Sequence, residues 1–215
     1  REAQQTLDWA EEVIALSKEN GFDFYLAGAN CMRGWAVAEQ SRVQEGIALL
    51  RQNMAAMREM GTMPAWSWFL ALLAEAYERV GRTQEGLDLI SEAPAIVKKR
   101  GNGLWESELH RLKGELLWQQ DADLAEVEAQ FQQALAVAQQ QQAKSLELRA
   151  AVSLARLWHA QGSRGKQEEA GRMLAEIYDW FTEGFETLDL IEAKTLLAAL
   201  SDNVEPPAET VRTPE

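Results

Sequence analysis

The stretch "RVQEGIALL" occupies residues 42–50, and "RTQEGLDLI" follows at residues 82–90. Arg, Gln, Glu, Gly and the aliphatic positions return in register at a spacing of 40. A fixed period of roughly 20–50 residues is the mark of stacked repeat architectures, in which each unit buries its apolar face on the next. The Gly of each copy, Gly46 and Gly86, reads as a contact position where a bulkier side chain would push neighbouring helices apart.

Working outward, small residues recur at Gly34, Ala74, Gly114 and Ala155, at intervals of 40, 40 and 41. Three residues after each comes a larger apolar one: Val37, Tyr77, Leu117 and Trp158. A small residue lets two helix backbones approach, and a large one nearly a turn later fills the adjoining groove. A second set follows, Gly46, Gly86, Val127 and Ala170, with Leu50, Ile90, Phe131 and Leu174 four residues on. Seven residues on stand Asn53, Ala93, Ala134 and Ile177, and spacings of four and seven trace one face of an α-helix. Each unit is therefore read as two helices joined by a short polar turn: "QSR", "GR", "QDAD" and "QGSRGK".

Composition agrees with an all-helical body. The chain has 47% apolar residues, enough for a sizeable core, and is rich in Ala, Leu, Glu and Gln, which favour helices. The net charge of −13 argues against nucleic acid as the main partner, since phosphate binding needs clustered Lys and Arg, and equally against an anionic membrane surface. An acidic cytoplasmic protein is expected. The single cysteine, Cys31, forms no internal disulfide and reads as a small buried residue. No apolar run reaches the roughly 18 residues of a membrane span.

The pattern resembles the tetratricopeptide repeat (TPR), in the long-helix variety, over residues 1–200. The resemblance implies an all-α, right-handed superhelix of helical hairpins with repeats of about 40 residues. Residues 1–21 read as a half repeat, a second helix without its first-helix partner. Complete repeats then run over 22–61, 63–101, 103–143 and 144–184, and a capping helix over 187–200. Gly21, Gly61 and Gly101 sit at the joins as helix C-caps. The tail 201–215 is polar and Pro-containing and reads as disordered. Pro94, inside a second helix, predicts a kink or break near Glu92–Ala93.

No catalytic constellation is visible, and no enzyme, cofactor or metal site is expected. His110 and His159 fall on first helices of adjacent repeats, where groove or surface roles outweigh a metal pair. "GSRGK" (162–166) lacks the spacing of a phosphate loop and reads as an inter-helix turn. "DADLAEVE" (121–128) lacks the central Gly of a calcium loop, and Asp123 is read as a helix N-cap. The run "QQQQ" (139–142) reads as a helix end. Of the eight tryptophans, Trp9, Trp105, Trp158 and Trp180 read as packing residues. Trp66 and Trp68 cannot face the same way, so at least one is expected to be partly exposed.

In TPR proteins the first helices line the concave face, and the resemblance carries that expectation here. One step past each small residue turns about 100° around the helix. From Trp35, Glu75, Glu115 and Arg156 the stripe extends through Cys31, Ala71, Arg111 and Val152 on one side, and Ala38, Glu78, Trp118 and His159 on the other. The candidate partner-binding residues are Trp68, Glu75, Glu78, Glu108, Arg111, Glu115, Trp118, Arg149, Arg156 and His159. A salt-bridged solvated surface is the competing reading of that stripe.

The stretches "LHRLKGELL" (109–117), "AKSLELRAAVSLARLW" (143–158) and "WFTEGFETLDLIEAKTLLAAL" (180–200) resemble the C-terminal TPR arm of large bacterial signalling proteins. Those carry an NTPase of the signal-transduction ATPase type, often with an adenylate/guanylate cyclase or a DNA-binding domain. The resemblance implies an excerpt of a longer protein: a non-catalytic interaction and regulatory arm, binding a protein or peptide or adjacent domains of its own chain. The alternative is a small-molecule sensor regulating an upstream ATPase or transcription activator.

Overall fold

A computed structural model describes residues 2–61, 65–100 and 103–202, with backbone alone for 93–100 and 202. Among the described residues ten α-helices follow one another: α1 (Ala3–Asn20), α2 (Asp23–Glu39), α3 (Val43–Glu59), α4 (Trp66–Arg79), α5 (Thr83–Arg100), α6 (Glu106–Gln119), α7 (Leu124–Gln140), α8 (Lys144–Ala160), α9 (Arg164–Tyr178) and α10 (Leu188–Asp202). A single 3-10 turn, Gly103–Trp105, leads into α6. No strand occurs among the described residues.

Each helix packs on its chain neighbour, and α2, α4, α6, α8 and α10 also pack on one another in order. Those five form an inner layer and α1, α3, α5, α7 and α9 an outer one, in which Lys166 of α9 pairs with Glu128 of α7 at 2.7 Å. The molecule is thus an all-α solenoid of TPR-like hairpins, with α10 as a fifth inner helix that caps the last hairpin.

The reversals are made by a recurring left-handed residue. Ser41, Gly81, Asp121 and Gly162 have φ of 72°, 67°, 55° and 69° at the four turns inside hairpins. Gly21, Gly61 and Gln142 take φ of 69°, 71° and 54° at the turns between them. Gly accepts this geometry freely, whereas an L-residue pays about 1–2 kcal/mol for it. Gly101 lies outside the described residues. Asp123 is the N-cap of α7 and accepts a hydrogen bond from the Ala125 amide at 3.0 Å. "GSRGK" is the α8–α9 turn and the start of α9.

The seams explain the repeated Gly. A Cβ on Gly46 would lie 2.5 Å from the Gly34 carbonyl oxygen and 2.6 Å from the Ala38 Cβ, so α3 crosses α2 almost backbone to backbone. A Cβ on Gly114 would lie 2.5 Å from the Phe131 ring, which fills the same place in the α6–α7 seam. Gly86 meets a different neighbour, the Leu116 side chain of the next hairpin, at 2.8 Å. Ala74 and Ala155 are fully buried, as are Leu50, Leu112, Phe131 and Leu174.

Several expectations are corrected. α5 runs unbroken from Thr83 to Arg100 across Pro94. A proline deletes one backbone bond, and the turns on either side keep the helix going. Trp9 and Trp180 are 60% and 59% exposed, not packed, whereas Trp158 is buried. Trp66 is buried and Trp68 half-buried, so the pair divides between core and inner face. α10 extends to Asp202; residues 203–215 of the tail lie outside the described residues.

Three outcomes follow for stability, each read by urea denaturation. Gly46→Ala should cost about 1–3 kcal/mol, because backbone must move to admit the methyl group. Gly171→Ala, in the interior of α9 with open space around it, should gain about 0.5–1 kcal/mol. Gln142→Gly should also gain roughly 0.5–1 kcal/mol by relieving its left-handed backbone.

Candidate functional site

The inner layer carries a network of buried charges. Arg111 on α6 sits between two acids of its own helix, one turn to either side. Its Nε and Nη2 donate to Glu108 at 3.1 and 2.7 Å, and its Nη1 lies 3.5 Å from Glu115. Arg149 on α8 shares the same Glu108 oxygen at 2.9 Å, reaches Glu75 of α4 at 3.6 Å and lies 3.8 Å from Asp189 of α10. Ser153 donates to Glu115 at 2.6 Å. Arg79 on α4 pairs with Glu39 of α2 and lies 3.9 Å from Glu75. The network therefore ties all five inner helices together.

The environment sets the protonation states. Burial alone would depress the Arg111 guanidinium, but the carboxylates of Glu108, Glu115 and Glu78 outweigh it and hold the charge firmly. Glu78 goes the other way. Burial raises its carboxyl, Arg111 opposes, and the carboxylates of Glu115, Glu75 and Glu108 raise it further, to about 7. Cys31 is fully buried, and burial pushes its thiol up to about 12, so it is an inert packing residue.

Two adjoining cavities open on this layer. The first, about 200 Å³, is lined by Glu75, Glu78, Arg111, Glu115, Arg149, Val152 and Arg156 together with Arg79, Ser153, Asp189 and Glu192. The second, about 270 Å³, shares Glu75 and Arg149 with it and adds Trp35, Trp68, Trp105, Met32, Ala71, Leu72 and Glu108. The Trp68 and Trp105 rings stack at 5.9 Å, which makes a flat aromatic wall. The structure thus brings eight of the ten candidate residues to one trough.

Trp118 and His159 line neither cavity. Their register places them beside the hairpin seam, as Ala38 sits beside Gly46. Trp118 turns edge-on to Phe131 of its own hairpin at 6.5 Å. The carbonyl of His159 accepts from Gln167 of α9, and the His159 Nδ1 is buried without a hydrogen-bond partner among the described residues. Sequence reading missed Arg79, Ser153, Asp189 and Glu192. The last two stand three apart on α10 and face α8 because the cap continues the inner layer; their spacing was the available signal.

A third cavity, about 460 Å³, lies where α1, α2 and the start of α4 meet. Trp9, Val13, Phe24, Tyr25, Met32, Met57, Trp68 and Phe69 line it, with no charged residue. Trp9, Val13 and Leu16 on α1 are 60%, 40% and 59% exposed. No group of three or more His, Cys, Asp or Glu able to hold a metal ion occurs among the described residues. Nor is any helix among them long and apolar enough to cross a membrane.

Helical hairpins stacked so that first helices form a continuous inner layer with a groove define a TPR-like repeat solenoid. No family model matches the chain. It is similar in structure to BtubC of P. vanneervenii, at TM-score 0.66 and 12% identity, over 100% of this chain and 98% of that one. It is also similar to a Podosopora anserina protein described as a kinesin light chain with nearly identical TPR-like repeats. The TM-score there is 0.55 and the identity 20%, over 81% of this chain and 85% of that one. At these identities the likeness is one of fold. In sequence, 124 residues are 26% identical to an uncharacterized protein of Rhizobium meliloti (strain 1021), covering 58% of this chain and 12% of that protein's length.

Replacing Glu108 by Gln removes the carboxylate that the buried Arg111 and the half-buried Arg149 share. It should destabilise the fold by about 3–5 kcal/mol, as breaking a buried pair does. Arg156→Ala, which breaks a half-exposed pair with Glu192, should stay within about 1 kcal/mol. Both are measured by denaturant titration at neutral pH. The raised Glu78 carboxyl gives a pH signature. A carboxyl whose folded value is raised favours the fold fully below its ordinary value and loses that contribution as pH rises towards about 7. Thermal melts of Glu78→Gln should therefore match the parent near pH 4 and exceed it at pH 8.

Proposed function

We propose that this chain is a non-catalytic interaction and regulatory module that binds a protein or peptide segment along its inner face. The observation that carries the reading is the trough itself, where a tryptophan-walled cavity runs into a cavity lined by nine charged side chains. Rigid aromatic anchors beside fixed charges are the features that dominate interface energetics. Each cavity is smaller than the roughly 300–1,000 Å³ of a site that encloses a drug-sized ligand, which favours side chains of an extended partner. The module belongs, on this reading, to a longer cytoplasmic signalling protein of bacteria that carries an NTPase or nucleotide cyclase. The match to a short part of a long rhizobial protein supports that setting.

A second reading, a sensor for a small apolar inducer, is favoured by the 460 Å³ cavity between α1, α2 and α4, whose size and lining suit such a ligand.

Site-specific photo-crosslinking tests the first reading. A crosslinking amino acid is placed at Trp68 or Arg156 in the trough, and at Gln132 or Glu169 on the exposed faces of α7 and α9. Crosslinks to a partner chain or neighbouring domain are expected from the first two positions. Crosslinks only from the outer two would overturn the proposal.

A further inference from the structure

Among the acids that line the charged cavity, Glu78 stands apart. Glu75 and Asp189 lie near Arg149, Glu115 holds Ser153 and Arg111, and Glu192 pairs with Arg156. The Glu78 carboxylate makes no hydrogen bond and no ion pair within 4.0 Å among the described residues, although the residue is half-buried and lines the cavity. Packing does not ask for a carboxylate there. Its register equivalents are Ala38, Trp118 and His159, and Ala38 packs against Gly46 in the first seam. An unpaired, half-buried carboxylate costs free energy until a donor reaches it.

The surroundings select the donor's charge. Arg111 and Arg149, the most buried cations of the network, are both engaged by Glu108. An incoming anion would meet Glu75, Glu78 and Glu115 with those cations already taken. An incoming cation meets an unmatched acid in a chain whose net charge is −13. Next to it, Trp35, Trp68 and Trp105 offer an apolar recess that a small polyamine would leave empty.

We infer that the trough binds a peptide segment that presents a lysine or arginine side chain to Glu78 and a large apolar side chain to the recess walled by Trp35, Trp68 and Trp105. This rests on the reading of the inner face as the binding surface. The cation completes the network by pairing with the one acid of the charged cavity that lacks an ion pair among the described residues, and the apolar side chain sets the register of the segment.

Binding is then pH-dependent. The groups around Glu78 are Glu75 and Arg79 of its own helix, Glu108, Arg111 and Glu115 of α6, Arg149 and Arg156 of α8, and Asp189 and Glu192 of α10; Glu39 of α2 holds Arg79. No histidine lines the cavity. The carboxyl sits near 7, and a peptide lysine or arginine stays charged well above that. Affinity therefore rises with pH as Glu78 ionises.

The test uses fluorescence anisotropy with labelled nonapeptides. A central Lys or Arg is fixed, one Leu or Trp is moved through the flanking positions, and the rest is Gly and Ser; matched sets carry Glu at the centre, and labelled spermine is included. The expected result is binding by the cationic sets at one preferred register. It should strengthen roughly tenfold between pH 6 and 8, as the ionised fraction of a group titrating near 7 rises from about one-tenth to about nine-tenths. Glu78→Gln, which keeps the side-chain volume, should weaken binding about tenfold and flatten the pH profile, and Trp68→Ala should abolish the register preference. Circular dichroism melts check that both variants are folded. If the acidic sets bind instead and Trp68→Ala weakens them, the cation assignment falls while the inner-face reading stands. Spermine binding as tightly as the best peptide would overturn the peptide assignment. Loss of binding by neither variant would overturn both.

Discussion

The close approach of α3 to α2, with the Gly34 carbonyl where a Cβ of Gly46 would have to lie, is the constraint from which the rest of the architecture follows. Two helices that touch backbone to backbone have a fixed separation and crossing, and a small residue returning every 40 residues keeps later pairs close in a similar orientation. First helices are then forced into one layer and second helices into another. Residues 40 apart in sequence become neighbours in space, which is how Glu75 of α4 and Arg149 of α8 come within 3.6 Å across α6. The seam need not be filled identically each time. Phe131 enters the place opposite Gly114, and Gly86 faces Leu116 of the following hairpin. The same stretch of sequence thus answers two related but unequal packing demands.

A layer assembled in this way has to cover its inner surface with something, and here it uses charge. Glu75, Glu108, Arg111, Glu115 and Glu147 are all under 10% exposed. Buried ion pairs are a weak source of net stability, because the lost hydration of each ion offsets much of the attraction. Their value is directional. The Arg149 guanidinium of α8, held by Glu108 of α6 and facing Glu75 of α4, cannot slide along the groove, so those inner helices keep one register relative to each other. The cost of the arrangement is concentrated at Glu78, where carboxylates outnumber the guanidinium that could offset them.

The fold class was legible because periodicity survives substitution. No single repeat is strong, yet small residues at Gly34, Ala74, Gly114 and Ala155 keep phase, and all four are buried. Asp123 as an N-cap was legible from local chemistry alone. Tryptophan burial was not, because Trp9 lies on a face of α1 that no described helix covers and Trp180 follows the end of α9, where helical phase no longer applies. The stripe of inner residues was legible up to the seam. It failed at Trp118, which a ring partner on α7 draws aside, and it could not include Asp189 and Glu192 while α10 was thought of only as a cap. Pro94 misled because a missing hydrogen bond is a local cost, and the continuing helix on both sides decides the outcome.

The two ends of the solenoid differ, and the groove inherits the difference. At the C-terminal end α10 packs on both α8 and α9 and buries Leu190, Ala193 and Leu200, while its Asp189 and Glu192 turn towards the trough. At the other end Val13 and Leu16 of α1 stand exposed, although their register equivalents Ala134 and Val137 are buried in α7, which packs on α6. The apolar and aromatic cavities lie near that end, and the charged cavity lies towards α10. The trough is therefore graded along its length, from aromatic surface that rewards desolvation to fixed charge that rewards a matched partner. On the proposed reading, a segment lying along such a gradient docks in one direction. Reversing it would set its apolar side chain against Arg111 and Arg149 and its charge against Trp35 and Trp68, so that neither half of the surface is satisfied.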